Sequence, residues 1–313
     1  MDPAVAAVRL AVRASLGELQ EGALVLVACS GGPDSLALAA ALAAEAPRVG
    51  RRSGAVVVDH GLQDGSARRA AQAGAVCDRL GLDPVEVLSA TVIDDGGGPE
   101  AAAREARYRV LGDAAARTGA AAIALGHTLD DQAETVLLGL ARGSGARSLA
   151  GMPARRGLLV RPLLGLRRET TVAACAALGL DPWLDPHNDD PRFTRSRLRS
   201  SVMPLLDEVI GPGVPEALAR SAGLLRADAD ALDAWAESVD DATDVRTLSA
   251  LPEAVRTRVL RRAAIAAGVP AGALTAAHVS AVDALVVAWR GQGPVSLPGG
   301  LEAARAYDRL SFR

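Results

Sequence analysis

Over the first 145 residues, short runs of consecutive apolar residues alternate with longer stretches in which apolar positions recur every three or four residues. The run Leu24–Cys29, bounded by Gly22 and a Ser-Gly-Gly turn, reads as a buried parallel strand, and Ala55–Asp59, Val85–Leu88 and Ala121–Gly126 read as further strands of the same alternation. Between them the helical period predicts Leu36–Glu45, stopped by Pro47 and capped by Asp34 or Ser35, then Ser66–Leu80, Glu100–Thr118 and a helix from about Asp130 to Ala141. Strand and helix in strict alternation predict an α/β fold with a doubly wound, mainly parallel sheet. Ligands of such sheets lie beyond the carboxyl ends of the strands, so the loops opening at Ser30, His60 and His127 share one ligand edge.

From Gly143 to Arg199 the pattern breaks into Gly, Pro and Arg, with one helix near Glu169–Leu178 and a polar stretch, Asp185–Thr194, that reads as a mobile loop. Beyond Gly211-Pro212-Gly213 it changes again, to consecutive helices at Pro215–Ser238, Leu251–Ala267 and Ala276–Trp289. A β-element, Val295–Leu297, the turn Pro298-Gly299-Gly300 and Leu301–Phe312, closes the chain. The division predicts a larger domain over 1–212 and a smaller helical and β domain over 213–313, within what 313 residues allow.

Composition narrows the function. Only 2% of residues are aromatic, which argues against rows of stacked rings as a nucleic-acid platform. The net charge of −3 hides an asymmetry: eleven Arg against five acidic residues between Arg142 and Arg199 leave that segment at +6 and the rest at −9. Such a patch suits a polyanion, or is simply a solvated surface. All 34 basic residues are Arg, so a Walker-type loop and Schiff-base chemistry, which both need lysine, are excluded. Cys29, Cys77 and Cys175 are far apart, without a CxxC pair, and read as reduced, mostly buried thiols. No apolar run reaches membrane-span length, and a cytoplasmic protein is the expectation.

The chemistry gathers at the ligand edge. A buried strand ending in Ser30-Gly31-Gly32-Pro33-Asp34-Ser35 and turning into a helix presents backbone N–H groups at a positive helix end, as a polyphosphate requires. Asp34 would repel phosphate there unless it caps the helix or binds Mg²⁺. Asp131 and Glu134, three apart on one helix, put two carboxylates on one face, with Ala133, Val136, Leu137 and Leu140 as the apolar stripe opposite. They can hold an ammonium group or Mg²⁺, or merely complement the helix dipole. His127, directly after a strand, can donate to phosphate. Arg104 and Arg107 share a face and can reach phosphates, or pair with Glu100 or Glu105.

The Ser30–Ser35 string resembles the signature of the PP-loop ATP pyrophosphatases. Four further features make the chain similar to the tRNA(Ile)-lysidine synthetase family: Val58-Asp59-His60-Gly61-Leu62; the Glu100, Arg104, Arg107, Tyr108 pattern; Gly126-His127-Thr128-Leu129-Asp130-Asp131-Gln132-Ala133-Glu134-Thr135; and Arg142-Gly143-Ser144-Gly145 with Gly151-Met152. These motifs run in order through residues 24 to 204. The sequence departs from the family at His187 and Ser196, where relatives often carry Ser or Thr and Asn.

The resemblance implies that ATP adenylates the C2 oxygen of the wobble cytidine in a CAU-anticodon isoleucine tRNA, and that free L-lysine displaces AMP to give lysidine, changing codon reading from AUG to AUA. It further implies ATP binding by Ser30, Gly31, Gly32, Pro33, Asp34, Ser35, Asp59, His60, Arg107 and Gly126, with Asp34 as a Mg²⁺ ligand. Asp34, His127, Asp131 and Glu134 would be catalytic, with Asp131 and Glu134 binding lysine. Arg192, Arg195, Arg197 and Arg199 would hold the anticodon stem, and a homodimer is the candidate assembly. Three rivals compete. A sulfur-transferring tRNA enzyme on the same fold needs a cysteine pair, and an amide-forming ligase needs an ammonia supply. A non-catalytic nucleotide sensor has no use for the carboxylate pair.

Overall fold

The computed structural model describes residues 1–59, 61, 65–91, 99–185 and 192–313. Cα packing divides the chain into two compact units, Met1–Gly223 and Leu224–Arg313.

The first unit opens with α1 (Pro3–Leu16), which starts because Asp2 accepts the amides of Ala4 and Val5 and Pro3 needs no partner for its missing N–H. The alternation that follows matches the expected order. It comprises β1 (Leu24–Ala28), α2 (Pro33–Glu45), β2 (Arg52–Asp59), α3 (Ser66–Arg79), β3 (Val85–Ser89), α4 (Pro99–Thr118), β4 (Ala122–Leu125) and α5 (Leu129–Ala141). A short α6 (Ala146–Leu149), the two-residue strands β5 (Arg155–Arg156) and β6 (Leu159–Val160), and α7 (Arg168–Ala177) complete the sheet and its cover. After these come α8 (Thr194–Arg197), a π-helical turn at Leu198–Val202, and α9 (Met203–Ile210).

The sheet order is β3-β2-β1-β4-β6-β5, parallel except for the β5–β6 pair. The chain moves outward from β1 through β2 to β3, then returns to β1's other side as β4. The crevice between the carboxyl ends of β1 and β4 is therefore the topological switch point, where such sheets bind ligands. Strands β5 and β6 went unread because two residues carry no periodicity.

Strand parity builds two cores. Val25, Val27 and Cys29, with Ala55, Val57, Ala122 and Ala124, face a core shared with α1, α2, α3 and α7. Leu24, Leu26, Val56, Ile123 and Leu125 face the opposite way, against Leu111, Ala114 and Ala115 of α4. Both faces of the central strands are dry, which is why their sequences lack a polar alternation.

The second unit contains the end of α10 (Val214–Glu237), then α11 (Val245–Ala250), α12 (Glu253–Ala266), α13 (Ala276–Val287), and an antiparallel sheet of β7 (Val295–Leu297), β8 (Leu301–Ala306) and β9 (Arg309–Phe312). Its core is its own, built from Leu248, Val255, Leu260, Leu285, Leu297 and Leu310. Within it Arg256 and Asp283 form a buried bidentate pair at 2.6 and 3.2 Å. The Gly211-Pro212-Gly213 turn, where the pattern changes, lies just ahead of α10, and the compact units divide inside that helix. Among the described residues no helix is long and apolar enough to cross a membrane.

Glu45, fully buried at the end of α2, accepts from Arg9 Nε at 2.5 Å and Arg13 Nε at 2.6 Å, and so fixes α1 to α2. Hydrogen bonding from Arg13, then from Arg9, holds its carboxyl below the ordinary range against the opposing effect of burial. A carboxyl lowered on folding contributes stability at neutral pH that is lost as pH falls through its folded value. Glu45→Ala should cost about 3 kcal/mol, the low end for a broken buried pair because Arg13 is half-exposed. Urea denaturation should show that loss at pH 7 and a smaller one at pH 4.

Candidate active site

The loop after β1 is closed by its own serines. Ser35 Oγ donates to the Gly32 carbonyl at 2.9 Å and accepts the Ser30 amide at 3.1 Å, with Ser30 Oγ 3.3 Å away. Gly31 sits at φ 82, a left-handed conformation that a side chain would strain, and its carbonyl accepts the Trp183 amide at 2.9 Å. The expectation that Asp34 or Ser35 caps α2 is corrected. Gly32 is the capping residue, Pro33 follows it, and no side chain caps the helix, so its positive end is left to a ligand. The three cysteines are buried and free, as expected, with Cys29 directly beneath the loop and Cys175 Sγ donating to the Pro33 carbonyl at 3.3 Å.

Asp34 turns toward α7. Thr171 Oγ1 donates to its Oδ1, and Arg168 Nε to its Oδ2 at 3.0 Å. Burial pushes the Asp34 carboxyl up, while Arg168 and Thr171 oppose the shift. Across the crevice Gly126, at the end of β4, lies so near the loop that an added Cβ would stand 3.0 Å from the Asp34 carbonyl carbon and 3.1 Å from the Ser35 nitrogen. Only a glycine lets the two strand ends approach this closely.

Helix α5 begins at Thr128, whose amide and hydroxyl both donate to Asp131 Oδ2, at 2.8 and 3.0 Å. The other Asp131 oxygen takes Arg168 Nη2 at 2.8 Å and lies 3.5 Å from Arg199 Nη2. Glu134, one turn on and 1% exposed, is gripped by Arg199 through Nε at 2.8 Å and Nη2 at 3.3 Å. The pair thus shares a face as the spacing implied, but buried among arginines rather than open. The opposite stripe is partly corrected too: Ala133 and Val136 are buried, whereas Leu140 is half-exposed. Burial raises the Glu134 carboxyl in spite of Arg199. Burial acts on Asp131 in the same direction, yet Arg168 and the Thr128 amide outweigh it and leave that carboxyl below its ordinary range. Asp130 serves structure, accepting the Arg168 amide at 2.7 Å and Arg167 Nε at 3.2 Å.

His127 is within electrostatic reach of Asp131 and also of Arg107, Arg161 and Arg104. Burial brings His127 down to about 4, so the ring is neutral at pH 7, and its Nδ1 has no partner among the described residues. Arg107 and Arg161 are likewise lowered by burial, and the Nε of each is unpaired. Arg161 spends Nη1 on the Pro153 carbonyl at 2.9 Å, and neither guanidinium forms an ion pair among the described residues. Tyr108 packs against Arg104 and Arg107, 5.1 and 5.6 Å from ring to guanidinium. Buried cations without carboxylates are stable only where an anion joins them.

Arg161 and Arg168 were both missed in the sequence; the available signal was their place, just after a strand at the ligand edge and at the first turn of a helix. Gln132 was quoted only within a motif. It clamps Met152, accepting its amide at 2.7 Å and donating to its carbonyl at 3.0 Å, with Gly151 leaving room for the amide group.

Of the remaining expected residues, Asp59 ends β2 and accepts the Gly61 amide at 3.0 Å. His60, His187 and most of the stretch read as a mobile loop lie outside the described residues. Arg192 and Arg197 are exposed and Arg195 half-buried, whereas Arg199, expected among the tRNA contacts, points into the carboxylates.

A family model described as a PP-loop domain matches residues 8–206, and one described as a TilS substrate binding domain matches residues 244–311. The tRNA(Ile)-lysidine synthase of Thermobifida fusca is 59% identical over 310 residues, covering 97% of this chain and 95% of that one. The enzyme of the same name from Streptomyces coelicolor is 53% identical over 347 residues, covering 99% and 98%. Among solved structures, the U34-tRNA thiolase NcsA from Methanococcus maripaludis is similar in fold, with a TM-score of 0.59 at 19% identity over 71% of this chain and 80% of that one. With a phosphate loop, a carboxylate pair and near full-length identity to these synthases, the chain belongs to the tRNA(Ile)-lysidine synthase family.

Proposed function

We propose that the chain joins free L-lysine to C2 of the wobble cytidine in a CAU-anticodon isoleucine tRNA, converting ATP to AMP and pyrophosphate. The observation that carries this reading is the carboxylate pair Asp131 and Glu134, buried under Arg168 and Arg199, with Arg168 joining Asp131 to Asp34 of the phosphate loop. That pair forms the amine compartment of the proposed reaction.

A cytidine C2 carbonyl is a poor electrophile because its leaving group would be oxide. Its oxygen attacks the α-phosphorus, the α–β bond breaks, and pyrophosphate leaves into the amides and hydroxyls of Ser30–Ser35. Asp59, His60, Arg107 and Gly126 complete the ATP site, and the neutral His127 ring can donate to the adenylate oxygens. The amine then attacks C2, the C2–O bond breaks, and AMP departs carrying the former carbonyl oxygen. Lysine arrives as an ammonium ion, which suits Asp131 and Glu134. Glu134, the carboxyl raised by burial, is the better acceptor of the proton that must be lost before attack. Arg192, Arg195 and Arg197 serve the anticodon-stem backbone from the basic segment 142–199.

Asp34 is the carboxylate that would hold Mg²⁺; because its two oxygens already accept from Thr171 and Arg168, the ion would share an oxygen with one of them and would need the ATP phosphates to offset the Arg168 charge beside it. When bound, the ion would neutralise charge on the phosphates. A sulfur-transfer reading is not favoured, since the three thiols are buried and the relatives bear the synthase name.

The direct test incubates the chain with ATP, Mg²⁺, labelled lysine and the tRNA; absence of label in the tRNA under turnover conditions would reject the proposal. Asp34→Ala should abolish pyrophosphate release. Glu134→Gln should leave pyrophosphate release within about threefold of the parent while lowering lysine transfer by about a hundredfold or more; equal losses in both steps would remove Glu134 from the second. Because the Glu134 carboxyl is raised, its charge is lost as pH falls through a range above that of an ordinary glutamate. The KM for lysine should therefore rise on acidification, a rise that steady-state kinetics between pH 8 and pH 5 would reveal and that Glu134→Gln should abolish.

A further inference from the structure

Arg199 stands where the amine must go. Its guanidinium makes a two-point contact with Glu134, at 2.8 and 3.3 Å, and lies 3.5 Å from Asp131, so both carboxylates of the amine compartment already face one cation. On the basis of the function proposed above, we propose that Arg199 is a resident substitute for the lysine ammonium. In this scheme lysine enters by cation exchange when a phosphate of the tRNA backbone draws the Arg199 guanidinium away.

Charge balance supports the exchange. Glu134 is 1% exposed and Asp131 8%, and stripping the cation from a buried carboxylate leaves an uncompensated charge. Replacing one monovalent cation by another leaves the compartment's net charge unchanged, whereas simple departure of Arg199 does not. The carboxylates can therefore release Arg199 readily only when an ammonium takes its place.

The two arginines of the compartment are not equally free to leave. Arg168 donates to Asp34 at 3.0 Å and to Asp131 at 2.8 Å, and its own amide is held by Asp130 at 2.7 Å, so it is anchored from three sides at the head of α7. Arg199 is the more exposed side chain, 32% against 22%, and among the described residues its ion pairs are with the two carboxylates alone. It rides on the π-helical turn Leu198–Val202, a geometry frequent at functional positions. The residues just before it, Arg195 and exposed Arg197, belong to the stretch that would meet the tRNA backbone. A segment that follows phosphates can thus carry the Arg199 guanidinium out of the amine compartment, and lysine becomes tightly held only after tRNA is seated.

The test is equilibrium binding of labelled L-lysine to the full chain with a non-hydrolysable ATP analogue, with and without the CAU-anticodon tRNA. For the parent protein, tRNA should tighten lysine binding by about tenfold or more, and lysine should tighten tRNA by the same factor. Arg199→Met should bind lysine at least about tenfold more tightly than the parent without tRNA, and tRNA should add little. Arg199→Lys, which keeps a cation, should restore the tRNA dependence. Unchanged or weaker lysine binding by a folded Arg199→Met would overturn the inference. If that variant does not fold, the absence of any coupling between tRNA and lysine in the parent decides against it equally. Incorporation of lysine by the parent separates the two ideas: no incorporation removes the function, whereas incorporation without coupling removes only the exchange.

Discussion

The Arg168 guanidinium, donating to Asp34 with one nitrogen and to Asp131 with another, is the contact on which the site's geometry depends. Asp34 belongs to the phosphate loop after β1 and Asp131 to the helix after β4, on opposite sides of the switch point. Without a cation between them, two buried carboxylates would repel and one would protonate. Asp131 and Asp34 outweigh the cost of burying Arg168 and raise its pKa, so it remains charged throughout the working range. A single fixed positive charge thus lets acidic groups of two loops converge on one crevice.

This arrangement explains why α7 matters although it carries no residue singled out by motif. Its N-terminus is tied to Asp130, its Thr171 reaches Asp34, and its Cys175 touches the loop backbone. Covering helix and phosphate-loop edge are one construction. On the far side, the Gln132–Met152 clamp anchors α5 to the segment leading into β5 and β6, which ends at Arg161. Arg161 and the carboxylate pair are therefore both referenced to the first turns of α5.

Much of this was legible in the sequence because it rests on local rules. Four strands and the helices between them follow from apolar runs and helical period, though β3 proves half-exposed at the sheet edge, and the Ser30–Ser35 turn follows from glycines that only a tight backbone requires. The i, i+3 relation of Asp131 and Glu134 likewise put them correctly on one face. What stayed hidden depends on partners distant in sequence. Asp34 looked like a cap because it stands where the strand turns into the helix; Gly32 takes that place, and Arg168, 134 residues on, draws Asp34 elsewhere. Arg199 looked like a phosphate ligand because it stands in an arginine-rich stretch, and only the fold brings it to Glu134. Strands of two residues leave no pattern to read.

The parity of β1 has a consequence for how such a site can change. Val25 and Val27 fill one core while Leu24 and Leu26 fill the other. Inserting or deleting one residue would turn each set toward the wrong side. The distance along the chain from the cores to Ser30 is therefore fixed by packing, whatever happens to the chemistry. The sheet acts as a ruler: sequence drift can alter which groups line the crevice, but it cannot gradually slide the phosphate loop along its strand. New specificities on this scaffold must come from the loops and helices that surround an immovable edge.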